Sequence, residues 1–287
     1  MKLQAECVSC ILGQAERVAQ KIGANEALTQ KIIKKAQEHS QTFSFSKTPP
    51  EVATPLYEAL AVLADKKDLY DEAKTTATEQ AKAMLPKLYE LIEASSDTLH
   101  AAGKMSVAGN VIDLATQEAY DLTAEVHAVL DANFPVDHFN ILFKKLHTAK
   151  SLAYFADNAG EHIFDAIFIK YIKDAFPHVE INYITRGNAI INDVTLEEAL
   201  DSGLDRHAKV LSSGVPTPGF VFDLANEESQ NLFLDADIVI AKGMGNFETM
   251  TENFYRDVFH LFKVKCDVVS RFVGHELGSL ICMQLEE

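Results

Sequence analysis

The chain has 287 residues, 47% hydrophobic and 24% charged, and a formal net charge of −16. That length holds one large domain or two smaller ones around a sizeable core, and the composition excludes a mainly disordered chain. With 42 acidic against 26 basic residues, a nucleic-acid binder is disfavoured, and no apolar stretch reaches the roughly 18 residues of a membrane span.

The first twenty residues, MKLQAECVSCILGQAERVAQ, lack the continuous apolar core of a signal peptide, so a cytoplasmic protein without a membrane partner is expected. Its four cysteines are too few for a disulfide scaffold in a chain this long. Cys7 and Cys10 form half of a zinc or redox motif, although packing one helical turn apart explains them equally well.

Residues 1–150 read as a helical N-terminal subdomain. Ile11, Leu12, Ala15, Val18, Ala19 and Ile22 share one helical face, and the pattern stops at Gly23. Asn25 suits an N-cap for the next stretch, and two prolines at 49 and 50 suit the start of a third. A long amphipathic stretch over 68–95 carries Pro86, where a kink or break is expected.

From about residue 150 to 287 the pattern becomes that of an α/β core. Short apolar runs, SLAYFA (151–156), VEINYIT (179–185), HAKVLSS (207–213), DIVIAK (237–242) and LFKVKCDVV (261–269), read as strands. Between them lie the helix-like stretches 161–176, 195–204 and 250–262, with Phe164, Ile167, Phe168 and Tyr171 as core. Strand, helix, strand at this spacing predicts a mainly parallel, Rossmann-like sheet with crossover helices, and ligands bind such sheets at the carboxyl ends of the strands.

Those ends carry chemistry. The first gives Asp157-Asn158-Ala-Gly-Glu161; the second Arg186, Gly187, Asn192 and Asp193; the third Ser212 and Ser213. The fourth gives Lys242, Gly243, Gly245, Asn246 and Glu248, and upstream Gly109-Asn110 precedes a helical pattern. Each is ambiguous alone: Asp157-Asn158 is an ordinary turn pair, and Asp193 or Asn110 reads equally as a helix cap. Delivered to one sheet edge, two carboxylates and an amide oxygen form a hard ligand set for Mg²⁺ or Mn²⁺. Lys242 with adjacent backbone N–H groups suits a phosphate. His162, beside this set, is expected to face solvent or cap a helix.

FADNAGE, RGNAIIND, SSGVPTPG, AKGMGNFE and the upstream AGNVIDL together resemble the metal-dependent damage-control phosphatases, a family long known only as a domain of unknown function. The short length, the early Cys-x-x-Cys and VKC at 264–266 resemble its compact prokaryotic branch. The resemblance runs from Cys7 to about Gly278 and implies a helical part on a Rossmann-like core. It implies a divalent metal (Mn, Mg, Co or Ni) held by Asp157, Asn158 and Asp193, with Asn110 and Lys242 on the phosphate and Glu248 ordering the loop. Arg186, Ser212, Ser213, Gly243, Gly245, Asn246 and Glu248 are the further candidates on the substrate side. Ala189 stands where the family usually has proline, which should loosen that loop slightly.

The implied substrates are phosphate monoesters of small metabolites, such as sugar phosphates or phosphopantetheine derivatives. Catalysis is expected from Asp157, Asp193 and Lys242: one aspartate as base for an attacking water, the lysine on the equatorial oxygens. Direct attack by Asp157 is a variant. A non-catalytic phosphometabolite-binding module is the alternative, although it has little need of two converging carboxylates. A nicotinamide-dependent oxidoreductase lacks the required Gly-x-Gly-x-x-Gly after the first strand.

Overall fold

Helices fill the first hundred residues of the computed structural model, which describes residues 1–109, 128–251 and 255–285. α1 (Ala5–Lys21) buries Ile11, Ala15, Val18 and Ala19. Asn25 caps α2 (Glu26–Ser40) by accepting from the Leu28 N–H, and Thr48 with Glu51 closes a reciprocal capping box on α3 (Pro49–Ala64). α4 (Asp71–Glu93) continues through Pro86, so no break occurs there. Burial of Ala81 on one side of the proline and of Leu88 and Ile92 on the other holds the turns together despite the missing donor. α5 (Thr98–Ala108) follows, capped by Asp97.

One seven-stranded sheet comes next: β1 (Val136–Asp137), β2 (Ser151–Phe155), β3 (Glu180–Thr185), β4 (Lys209–Ser212), β5 (Ile238–Lys242), β6 (Val258–Lys263) and β7 (Leu280–Leu285). Their order is β1-β7-β6-β5-β2-β3-β4, with β2 to β6 parallel and β7 antiparallel to β6. The intervening helices are α6 (Phe139–Leu146), α7 (Glu161–Ala175), α8 (Leu196–Asp201), α9 (Glu227–Asp235), α10 (Gly243–Met250) and α11 (Asp267–Val273).

Two expectations are corrected. The stretch 250–262 is not a helix: the helix is α10, ending at Met250, and Val258–Phe262 is buried strand. A strand covered on both faces shows no alternation, so its apolar run also fitted a helix. The run 261–269 is split, because β6 ends at Lys263 and Cys266 caps α11, its Sγ accepting from the Val269 N–H at 3.5 Å. β1 and β7 were not anticipated.

Side chains alternate across the sheet. Leu152 and Tyr154 of β2, with Ile238 and Ile240 of β5, enter a core shared with α4, α5, α6 and α7. Ala153, Phe155, Val239 and Ala241 enter the opposite core, with Phe220 and Phe233. A third core joins α1, α2 and α3 to Phe247, Phe262 and Ile281. The chain moves outward from β2 to β3 and β4, then returns to β5 beside β2. The carboxyl ends of β2 and β5 therefore diverge into a crevice where such sheets bind ligands.

Lys74 of α4 is 2% exposed and bonds Asp68 and Glu198, each at 2.8 Å. Burial opposes its charge, and the two carboxylates outweigh burial and hold it above the ordinary lysine value. Glu198 also accepts from Thr195 N and Oγ1 at the start of α8, so this lysine ties a helix of the N-terminal half to the segment after Asp193. Replacing Lys74 with methionine should leave two facing carboxylates and lower unfolding free energy by roughly 2–3 kcal/mol, read as a reduced urea midpoint.

Candidate active site

β2 ends on Phe155, and its next residues turn toward the segment after β3. Val194 N donates to Asp157 O at 2.9 Å and Ala159 N to Asn192 O at 2.8 Å, pairing Asn158 with Asp193 in a short antiparallel bridge. Asp157 (8% exposed) and Asp193 (1%) thus meet at one edge. Asp193 is no helix cap: Thr195 with Glu198 caps α8, and the Asp193 carboxylate turns inward to Arg186. Ile191, just before Asn192 and Asp193, sits at φ +40°, a conformation β-branched residues rarely adopt. The segment after Ala189 therefore carries strain where it presents Asp193.

Arg186 is almost wholly buried. Its Nε donates to Asp193 Oδ2 at 2.6 Å, and its Nη2 lies 3.9 Å from Asp157 Oδ1. Among the described residues, Arg186 Nη2 and Asp193 Oδ1 are both buried with no hydrogen-bond partner. The Asn158 amide donates to Asp157 Oδ2 at 2.8 Å and to Glu161 Oε1 at 2.6 Å. Burial, with Asp157 nearby, raises Glu161 to about 7. Burial likewise raises Asp193 to about 7 despite Arg186.

From the other side of the crevice, β5 delivers Lys242 and Gly243. Gly243 has φ +77°, and a Cβ there would overlap the Asp157 carboxylate. Gly187 serves similarly at the neighbouring ends, since its Cβ would overlap the backbone of Gly214. Lys242 is fully buried, its Nζ donating to Asp165 Oδ1 at 2.6 Å and to Ser106 O at 2.7 Å, with Glu161 Oε2 at 3.7 Å. Burial alone would discharge it, but Asp165 and Glu161 reverse the balance and raise it above the ordinary lysine value.

Asp157, Asn158, Asp193, Arg186, Lys242 and Gly243 are therefore brought together. Four other candidates face backbone partners instead. Asn246 is a backbone strut: it donates to Ala156 O and Lys242 O and accepts from Phe220 N. Ser213 Oγ accepts from Val215 N, and Ser212 Oγ donates weakly to Arg186 O. Gly245 packs against Pro218, whose carbonyl a Cβ would overlap. Glu248 lies on α10, and burial of its carboxyl raises it to about 7. Asn110 lies outside the described residues.

His162 does not face solvent. It is fully buried near the start of α7, where Nδ1 accepts from Gly160 N, and burial lowers it to about 4, leaving it neutral. Glu161 was read at the strand end without a role, and Asp165 was missed as a site residue. The signal was present, since EHIFDAIF sets two acids four apart on the apolar face that buries Ile163, Phe164 and Ile167. Among the described residues no three His, Cys, Asp or Glu side chains form a metal-holding group. The candidate ligand set has two carboxylates and an amide oxygen. Cys7 and Cys282 are buried, Cys10 is exposed, and all four cysteines are free.

Unfolded carboxyls ionise near pH 4, whereas Glu161, Asp193 and Glu248 do so near 7 when folded. The folded chain therefore holds protons that the unfolded one has released, and their stabilising contribution is lost as pH rises through 7. The cation-free protein should melt roughly 5 °C lower at about pH 8 than at about pH 5.5, and Glu248→Gln should flatten that fall in part. Gly243→Ala should displace the Asp157 carboxylate and lower turnover at this site by about a hundredfold or more, measured on protein whose circular dichroism still matches the parent.

A family model described as the damage-control phosphatase ARMT1-like domain matches residues 3–281. A protein of Pyrococcus horikoshii named a damage-control phosphatase is 30% identical over 286 residues, covering 99% of this chain and 98% of its own. One of Archaeoglobus fulgidus with the same name is 27% identical, with both chains fully covered. The crystal structure of the Pyrococcus horikoshii protein, described as a member of the DUF89 family, superposes with a TM-score of 0.90 over 99% of each chain at 30% identity.

Proposed function

This chain belongs to the damage-control phosphatase ARMT1-like family, and on that premise we propose that it hydrolyses phosphate monoesters of small metabolites with the help of a divalent cation. Phosphatase names among its relatives support the reaction class. The observation that carries the cation is the convergence of Asp157 and Asp193, both buried at one sheet edge, with Asp193 Oδ1 lacking a hydrogen-bond partner among the described residues. Two carboxylates in a low-dielectric setting repel each other unless protonated or bridged by positive charge. Gly243 leaves room for the Asp157 carboxylate, which a Cβ at that position would overlap.

Asp157, Asn158 and Asp193 would hold Mg²⁺, Mn²⁺, Co²⁺ or Ni²⁺, which when bound neutralises phosphate charge and lowers the pKa of a coordinated water. Arg186, anchored through Nε to Asp193, keeps Nη2 available for a phosphate oxygen. Lys242 adds positive charge from beneath, one carboxylate away from Asn158. Asp157 or Asp193, whichever is released from its neighbours, accepts the proton of the attacking water. The substrates we expect are sugar phosphates or phosphopantetheine-like metabolites. The compact length and the Cys7/Cys10 pair support a place on the prokaryotic branch of the family.

Protein stripped of metal should be inactive on an aryl phosphate and regain turnover with one or more of the four cations, and Asp157→Ala should lose about a thousandfold or more in kcat. No turnover with any cation, or full activity in Asp157→Ala, would exclude this function. Rapid quench with labelled phosphate distinguishes the nucleophiles: water leaves no acid-stable phosphoenzyme, whereas attack by Asp157 does.

A further inference from the structure

We propose that Asp165 is a positioning residue for this site. It fixes the Lys242 ammonium, and through it Glu161 and the Asn158 amide, while Tyr154 and Tyr183 fix Asp165. The inference rests on the roles given above to Asn158 and Lys242 and adds a supporting layer beneath them.

Asp165 lies one helical turn after Glu161 on α7, so both carboxylates face the sheet edge. It is fully buried and receives four donors. Oδ1 accepts from Lys242 Nζ at 2.6 Å, Tyr154 OH at 2.8 Å and Ser106 Oγ at 3.0 Å, and Oδ2 accepts from Tyr183 OH at 2.9 Å. A carboxylate offers about four lone-pair sites, so this one cannot rotate without breaking several bonds at once. Tyr154 and Tyr183 are register partners on β2 and β3, their rings stacked at 5.4 Å. The sheet's own pairing thus sets the spacing of the two hydroxyls.

A lysine ammonium is a rotatable point charge on a flexible stem. Here two of its protons go to fixed acceptors, Asp165 Oδ1 and Ser106 O, and Glu161 Oε2 lies 3.7 Å away on the remaining side. The other oxygen of Glu161 accepts from Asn158 Nδ2, which turns the Asn158 amide oxygen away from Glu161. The sequence Tyr154/Tyr183, Asp165, Lys242, Glu161, Asn158 therefore sets which face of the amide a ligand meets. Fold stability alone does not require it, because a buried ion pair is replaceable by apolar residues of similar volume at little cost.

The test uses the full chain and two readouts, the Mn²⁺ dissociation constant by titration calorimetry and kcat with KM on an aryl phosphate. Tyr154→Phe and Tyr183→Phe each delete one hydroxyl from an apolar setting, and Ser106→Ala is a third, milder deletion should either Phe variant fail to fold. Each should weaken Mn²⁺ binding and lower kcat about tenfold, as outer-layer partners of metal ligands do, with KM for the ester changed less than about twofold. In a Lys242→Met background the same deletions should cause no further loss, because their effect passes through the lysine. Losses that add fully to that of Lys242→Met, or a lowered melting temperature with unchanged Mn²⁺ affinity and kcat, would overturn the proposal. A parent chain that binds another of the four cations in place of Mn²⁺ is titrated with that cation; if it binds none of them, or Lys242→Met retains parental affinity and kcat, the assigned roles fall and the relay with them. If Lys242→Met is impaired while the three deletions behave as the parent, only the relay falls.

Discussion

The carboxylates of Asp157, Glu161, Asp165 and Asp193 are each less than a tenth exposed, and all four gather at the carboxyl edge of one sheet. Burial first, and the neighbouring Asp157 charge after it, drives two of them, Glu161 and Asp193, up to about 7. The fold answers with two buried cations. Arg186 reaches Asp193 from the end of β3, and Lys242 reaches Asp165 from the end of β5. Both cations leave the sheet beside β2, on its two flanks, so the strand order that places β3 and β5 next to β2 is also what balances the charge. Four carboxylates against two cations leave the cluster short of positive charge.

Much of this was legible from residue order. Helical starts were written in Asn25, whose side chain bonds the first turn of α2, and in Pro49 and Pro50, which open α3. Four apolar runs became β2 to β5; in β2, β3 and β5 burial on both faces calls for continuous apolar sequence, whereas β4 at the sheet edge is only half-buried. The strand-end residues Asp157, Asn158, Asp193, Arg186 and Lys242 do meet, which follows from parallel strands delivering their carboxyl ends to one edge.

What was not legible depended on partners distant in sequence. Nothing near Asn246 reveals that its amide will tie Ala156, Lys242 and Phe220 together by their backbones. Tyr154 and Tyr183 look like core residues in apolar runs, and only the register of β2 against β3 brings their hydroxyls to one carboxylate. His162, polar and beside a turn, suggested exposure, yet the first turn of α7 is packed on all sides and the ring is held neutral. β7 escaped notice because it runs against the parallel pattern that identified the others.

The bond from Lys242 Nζ to the carbonyl of Ser106 spans 136 positions of the chain. Ser106 belongs to the last turn of α5, so a helix of the first half supplies one of the acceptors that let a lysine of the second half stay charged in the interior. A sheet of this kind inherited without those helices would carry a buried cation short of a partner. The two halves are thereby bound to a common evolutionary fate. Relatives that have drifted to 27–30% identity still align with the chain from end to end.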